Sequence, residues 1–254
     1  MAEAEKRGIS YWTLYMILPV TIIIIWFMAG IAGYTKSYSM PSLERIGDTI
    51  FQMAESGKLF ENMYVSIVRV LEGFVVSLAT GIALGIIVSI SSKFEILTDF
   101  VIQILRPIPP IAWIPLAILW FGIGESSKIF IIFLGGFFPI FVNCVDGIKN
   151  IDRKYYELAS VYEVSKKELI FHIIIPGALP SMLTGVRLGI SNAWVCVVAA
   201  EMIGATSGVG YMLSNGRSLS RPDIVILGML IVGIVGKIMD DILRNLNKKL
   251  VKWV

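Results

Sequence analysis

Long uncharged apolar runs, rather than alternating ones, set the pattern of this chain. The first covers residues 9–35 and contains four consecutive isoleucines at positions 22–25. A hydrocarbon core of roughly 30 Å takes about 20 apolar helical residues to cross. The runs predict six helical spans, near residues 11–33, 62–91, 94–121, 127–147, 174–203 and 223–243. Only a few residues around Ser92 separate the second span from the third, which predicts a tight helical hairpin. The predicted fold class is an all-α integral membrane protein of about six helices.

Charge then orients the spans. With the N-terminus inside, the inner segments hold thirteen basic residues: Lys6, Arg7, Lys93, Lys149, Arg153, Lys154, Lys166, Lys167, Lys237, Arg244, Lys248, Lys249 and Lys252. The outer segments hold six: Lys36, Arg45, Lys58, Lys128, Arg217 and Arg221. This excess predicts both termini in the cytoplasm. Composition agrees with a membrane protein, since charged residues make up 16% against about a quarter in soluble domains. A net charge of +3 without a long basic block excludes a nucleic-acid partner. Cys144 and Cys196 lie in apolar runs without a CxxC, and His172 is the only histidine, so no metal or redox site is expected. No GxxxxGK[ST], HExxH or GxSxG occurs, and Gly204, Gly208 and Gly210 are read as a turn on an outer loop. The N-terminal run is too long for a signal peptide and is kept as a span. The organisation expected is residues 1–10 cytoplasmic, 11–61 a first helix with an outer segment, and 62–254 the remaining spans with the inner loop at 148–173.

Some features interrupt the apolar pattern. Ser77, Gly81 and Gly85 form a small-residue stripe that lets helices approach closely. Arg106-Pro107-Ile108-Pro109-Pro110, followed by Trp113 and Pro115, must break the third span. Backbone freed by such a break needs protein or water, so Pro110 and its neighbours mark either a structural kink or a cavity wall. In the fifth span, Arg187, Ser191, Trp194, Val198 and Glu201 lie within about 40° of one line at about 100° per residue. Arg187 and Glu201 lie roughly 21 Å apart along the axis and cannot pair with each other. The segment bearing Arg106 is the expected neighbour of Glu201 or of an anion. Two readings of Arg187 stand: pairing with a loop carboxylate or lipid phosphate, or joining Arg106 in an electropositive pathway walled by Trp113 and Trp194.

The inner loop at residues 148–173 has helical order of its own. Asp152 caps a helix on which Tyr155, Leu158, Ala159 and Tyr162 share a face. Ser165-Lys166-Lys167-Glu168 is a capping box that predicts a second short helix running toward Pro176 at an angle to the first. Such a hairpin either rests on lipid headgroups or serves as a docking knob for a soluble partner.

Glu157-Leu158-Ala159-xxx-Glu163, with Ile173 and Pro176 downstream, resembles the EAA loop of ABC importer permeases. Residues 105–116, Trp120-Phe121-Gly122-Ile123-Gly124 and Ala200-Glu201-Met202-Ile203-Gly204-Ala205 resemble the nitrate, sulfonate, taurine and bicarbonate branch of that family. The resemblance implies a MetI-like permease in the inner membrane, working as a homodimer. Its implied partners are two cytoplasmic ATPase subunits and an extracytoplasmic binding protein, with residues 34–61 and 204–222 facing the latter. No cofactor is implied on this chain; ATP and Mg would bind the ATPase subunits. Tyr155, Glu157, Leu158, Ala159, Tyr162, Glu163 and Ser165 would couple to the ATPase. The pathway for a small anion would involve Arg106, Pro110, Trp113, Arg187, Ser191, Trp194 and Glu201. Glu163 departs from the family's glycine, so the turn there is expected to differ or to shift its role to Ser165. The alternatives are an ion-gradient-driven transporter or channel, and an importer of the same family for an uncharged heterocycle.

Overall fold

Eleven helices build the described part of the chain, residues 9–32 and 40–250 of a computed structural model, and no strand occurs among them. Lys6, Arg7, Lys36 and Lys252 of the charge count, and residues 33–39 of the expected outer segment, lie outside the described residues. The expected spans correspond to α1 (Ile9–Ile31), α3 (Lys58–Ile90), α6 (Glu125–Lys149), α9 (Ile175–Gly204) and α11 (Pro222–Leu250), each long and apolar enough to cross a bilayer. The third expected span is α4 (Ser92–Leu105) followed by a 3-10 turn (Pro110–Trp113) and α5 (Ile114–Phe121), bent by 89°. Pro107, Pro109 and Pro110 supply no backbone donors, so no helical ladder can run through them. Isolated turns, Ile108 N–H to Leu105 O and Ala112 N–H to Pro109 O, carry the chain around the bend.

Three helices form the centre. α6 lies between α3 and α9, and the glycine stripe predicted for α3 faces it. A methyl group on Gly81 would come within 2.9 Å of Ile140, and one on Gly189 of α9 within 2.8 Å of the same side chain. Ile140, fully buried, therefore fills a slot whose two walls are glycines from different helices. Lipid tails are as apolar as leucine, so contact of this closeness, rather than escape from water, is what holds membrane helices together. Farther along, Ser77 Oγ donates to Phe133 O at 2.9 Å, adding a polar tie between α3 and α6.

α11 closes against α9 through the Arg187–Asp240 pair, 2.5 and 2.8 Å, and a hydrogen bond from Trp194 Nε1 to Val232 O at 2.9 Å. Two further helices replace what the sequence reads as plain loop. α2 (Leu43–Glu55) begins at Ser42, whose hydroxyl accepts from Arg45 N–H, and α10 (Val209–Ser218) follows Gly208. Both sit at the end of the bundle opposite residues 150–174. Leu43, Ile46, Ile50 and Met53 carry the 3–4 spacing that marks α2 as a helix. Thr49 Oγ1 ties it to the buried Asp223 of α11 at 2.7 Å.

The slot around Ile140 yields a stability prediction. Gly189→Leu should overpack it by about 1–3 kcal/mol or more and lower the melting temperature of the detergent-solubilised protein by several degrees. Gly233→Leu, where nothing lies within 4 Å of the added carbon, should leave it unchanged. Equal melting temperatures for the two variants would show that α6 is not clamped at this slot.

Candidate functional site

At one end of the bundle, Asp152 Oδ1 accepts from Lys154 N–H at 3.0 Å and starts α7 (Arg153–Val161). Ala159 is buried, while Tyr155, Leu158, Val161 and Tyr162 are 54–78% exposed and Glu157 is exposed beside them. One side of α7 is thus anchored and the other presents apolar and aromatic groups outward. Behind it, Ile151, Tyr156, Leu169 and Ile170 pack on a cluster made by Cys144, Ile148, Ile174, Ala178 and Met182, from the ends of α6 and α9.

The turn after α7 corrects the expectation for Glu163. Its φ is +52°, Glu163 N–H donates to Ser160 O, and Val164 N–H donates to Ala159 O at 2.9 Å. These bonds make a Schellman cap with its left-handed residue retained, although a non-glycine residue there costs about 1 kcal/mol. The capping box forms as predicted: Ser165 N–H donates to Glu168 at 3.1 Å and Glu168 N–H to Ser165 Oγ at 3.3 Å. The Ser165 hydroxyl and N–H hold the Glu168 carboxyl below its usual range. The second arm is not a separate helix, however. The short α8 (Lys166–Glu168) passes through a π turn (Leu169–Ile174) directly into α9, so loop and span form one continuous helical run. Pro176 removes one backbone donor just after the π turn, where Ile175 N–H still bonds Ile170 O, and does not end the run.

A groove runs alongside. Arg106 and Pro110 from the bend, Pro139 and Asn143 from α6, and Leu188 and Asn192 from α9 line a cavity of about 330 Å³. A second, of about 740 Å³, continues past Arg106 to Asp99, Gln103, Asp146 and Lys149. Among the described residues, the exposed Arg106 has no ion pair and the exposed Asn192 no side-chain hydrogen bond. Asn143 spends its amide N–H on Pro139 O at 2.8 Å. Trp113 is half-buried in a separate cluster with Ile114, Ala117, Ile131, Cys196 and Ala200.

The predicted face of α9 does look into protein, but not into this groove. Arg187 pairs with Asp240, Ser191 Oγ donates to Arg187 O, and Trp194 is buried against α11. Asn192 lies about 140° around from Arg187 at about 100° per residue, which is why one wheel face could not contain both. Nor does Glu201 meet Arg106. Its carboxylate, 1% exposed, accepts from Ser66 Oγ at 2.8 Å, Arg69 Nη1 at 2.8 Å and Gly210 N–H at 2.9 Å. Arg69 also donates to Glu125 at 2.5 and 2.7 Å and to Ser207 O at 2.7 Å, and Lys128 pairs with Glu125 at 2.9 Å. The sequence signal for this partner was Arg69 itself, a charge inside an apolar span. The glycines read as a loop turn have a tighter purpose. A side chain on Gly208, at φ +116°, would lie 2.3 Å from the Glu201 carboxyl carbon, and one on Gly210 2.2 Å from Val198 O.

Comparison with known proteins agrees with this fold. The family model for the binding-protein-dependent transport system inner membrane component matches residues 78–252. The aliphatic sulfonate transport permease SsuC of Bacillus subtilis, itself named as putative, is 39% identical over 242 residues, covering 95% of this chain and 88% of that one. The taurine permease TauC of Escherichia coli is 29% identical, covering 91% and 86%. The nitrate import permease NrtB of a Synechocystis strain is 34% identical, covering 74% and 69%. A solved chain of the MetNI methionine ABC transporter, in inward-facing form, superposes with a TM-score of 0.56 at 17% identity, covering 75% of this chain and 94% of that one. These matches support the importer reading and not the gradient-driven alternative. An all-helical bundle with a capped loop at one end, and a family model that takes in more than half of the chain, lead to one assignment: the protein belongs to the binding-protein-dependent transport system inner membrane components, the permease family of ABC importers.

Proposed function

We propose that two copies of this chain form the pathway of an importer for a small oxyanion of the sulfonate or nitrate class, passed along the groove that contains Arg106. The observation that carries this reading is that Arg106 and Asn192 line one groove, the guanidinium and the amide both without a partner among the described residues. Arginine at the bilayer centre costs about 2.5–3.5 kcal/mol on insertion scales, and an unbonded amide also disfavours lipid. Both groups therefore belong in a watered passage, where a charged fork and an amide can hold an oxyanion's oxygens. The relatives named for sulfonates, taurine and nitrate support the same class. Trp113, Arg187, Ser191, Trp194 and Glu201 act in this reading as supports for the pathway walls, and Arg106 and Pro110 as the walls themselves.

α7 and its turn dock into a cleft on each of two ATPase subunits, which hold ATP and Mg, while an extracytoplasmic binding protein delivers substrate to the far end. Tyr155, Leu158 and Tyr162 supply apolar contact, and buried Ala159 sets how closely α7 lies on the bundle. The lysine and arginine excess supports placing α7 in the cytoplasm, with both termini on that side of the inner membrane.

Purified protein, ATPase and binding protein in liposomes should take up a labelled sulfonate or nitrate only when ATP is hydrolysed; uptake driven by an ion gradient without the ATPase would refute the importer assignment. In that system, Arg106→Gln should cut anion uptake about tenfold, equivalent to about 1.4 kcal/mol, with Arg106→Lys intermediate and protein abundance unchanged. Normal uptake in Arg106→Gln would remove this groove from the pathway. Glu157→Lys or Ala159→Trp should keep the protein in the membrane yet separate ATP hydrolysis from uptake, and fully coupled transport in both would reject the docking role. A cysteine at Ser214, on α10, should react with an impermeant maleimide from outside intact cells; reaction from the cytoplasmic face alone would invert the topology.

A further inference from the structure

The first backbone donors of α10 are not left to water. Gly208 N–H donates to Asn62 Oδ1 at 2.7 Å, Val209 N–H to Ser66 Oγ at 2.8 Å, and Gly210 N–H to Glu201 at 2.9 Å. A helix start normally finds such acceptors in its own N-cap residue. Here the cap position is Gly208, which has no side chain to offer, and the acceptors come from α3 and α9. The carboxylate of Glu201 also sits where the helix N-terminus favours negative charge. Arg69, 5% exposed, holds that carboxylate in place and reaches Glu125 on α6 and Ser207 before α10. Two acids and two bases, Glu201, Glu125, Arg69 and Lys128, balance one another in this cluster.

Stability alone does not demand this arrangement. Buried ion pairs are often matched or bettered by apolar side chains of similar volume. What an apolar substitute could not do is cap α10 from α9. The same α9 forms one helical run from Leu169 to Gly204, roughly 50 Å at about 1.5 Å per residue, beginning at the turn that follows α7. A π turn at Leu169–Ile174 gives that run a place where helical register can change. α10 in turn forms one wall of a cavity of about 500 Å³ at the opposite end, with Gln52, Asn62, Tyr211, Asn215 and Arg221 among its polar lining.

We propose that Glu201 is a positioning residue that seats α10 according to the placement of α9, so that the state of the loop at one end is registered by the surface at the other. The proposal rests on the reading that α7 docks on an ATPase. When α9 moves relative to α3, the Glu201 and Ser66 caps separate and α10 loosens around its cavity. The Gly208-x-Gly210 spacing is needed because the Glu201 carboxylate fills the space of a side chain at Gly208, and the α9 backbone at Val198 fills it at Gly210.

The test uses the assembled complex, permease with ATPase and binding protein, in lipid nanodiscs. A cysteine at Asn215, half-exposed on α10, is labelled with a fluorescent maleimide in the nucleotide-free state and after trapping with ATP and vanadate. With Glu201 present, the labelling rate should change several-fold between the two states. In Glu201→Gln that change should be lost, together with stimulation of the ATPase by the loaded binding protein, while assembly and basal hydrolysis remain. Gly208→Ala, which crowds the carboxylate without altering charge, should do the same. A labelling rate at Asn215 that ignores nucleotide state, or a full state-dependent change in both variants, would overturn the proposal. So would failure of both variants to assemble, because the network would then be structural only. Failure of the underlying reading looks different: the unmodified chain would not assemble with or stimulate the ATPase at all.

Discussion

α6 approaches α3 and α9 more closely than ordinary side chains permit, and the rest of the bundle depends on that approach. In a bilayer, moving leucine from lipid to protein gains little, so helices are held by contact density and by polar ties. Ile140 provides the first, lodged between Gly81 and Gly189, and Ser77 provides the second. α3, α6 and α9 consequently form a welded centre. α4 is attached differently, burying none of its residues within the chain and joined to α6 by the Lys149–Glu95 pair at 2.5 Å. Large apolar side chains on it, Ile96, Leu97 and Phe100, remain 71–79% exposed.

Where charge enters the spans, its partners divide it into two kinds. Arg69, Glu201, Arg187 and Asp240 are mutually satisfied, so each fixes one helix against another and carries no demand for water. Arg106 has no such partner among the described residues and stands in a groove. A satisfied charge can be architectural at modest cost, whereas an unsatisfied one is tolerated in a membrane only beside water, substrate or another protein surface. The distinction separates the walls of the groove from its supports, and it follows from hydrogen-bond partners rather than from residue type.

α9 belongs to both ends of the molecule. At one end the turn after α7 runs into it without a break; at the other its Glu201 caps α10. Helices with independent ends could shift without consequence for one another. Here a displacement of α9 changes the environment of a buried carboxylate and of two glycines packed against α9 around it.

Periodicity located five long spans and the broken third one, the hairpin at Ser92 and the caps at Asp152 and Ser165, because each depends on neighbours within a few residues, and the quoted motifs carried the resemblance to the family. The small-residue stripe also identified a packing face, since absence of volume is visible in the chain itself. Partners across helices were not legible. Arg69 and Glu201 are separated by 132 positions, and nothing local distinguishes a charge awaiting an anion from one already paired. The wheel of α9 located a polar face correctly but left its partner open, and the groove that contains Arg106 and Asn192 lies about 140° away, because a wheel records direction and not what stands opposite. Glu163 shows the converse: its residue type argued against a left-handed turn, and the bonds to Ser160 and Ala159, with α7 anchored on the bundle, held the turn in place. Local sequence thus decided the elements, and tertiary contact decided which of their polar groups were free.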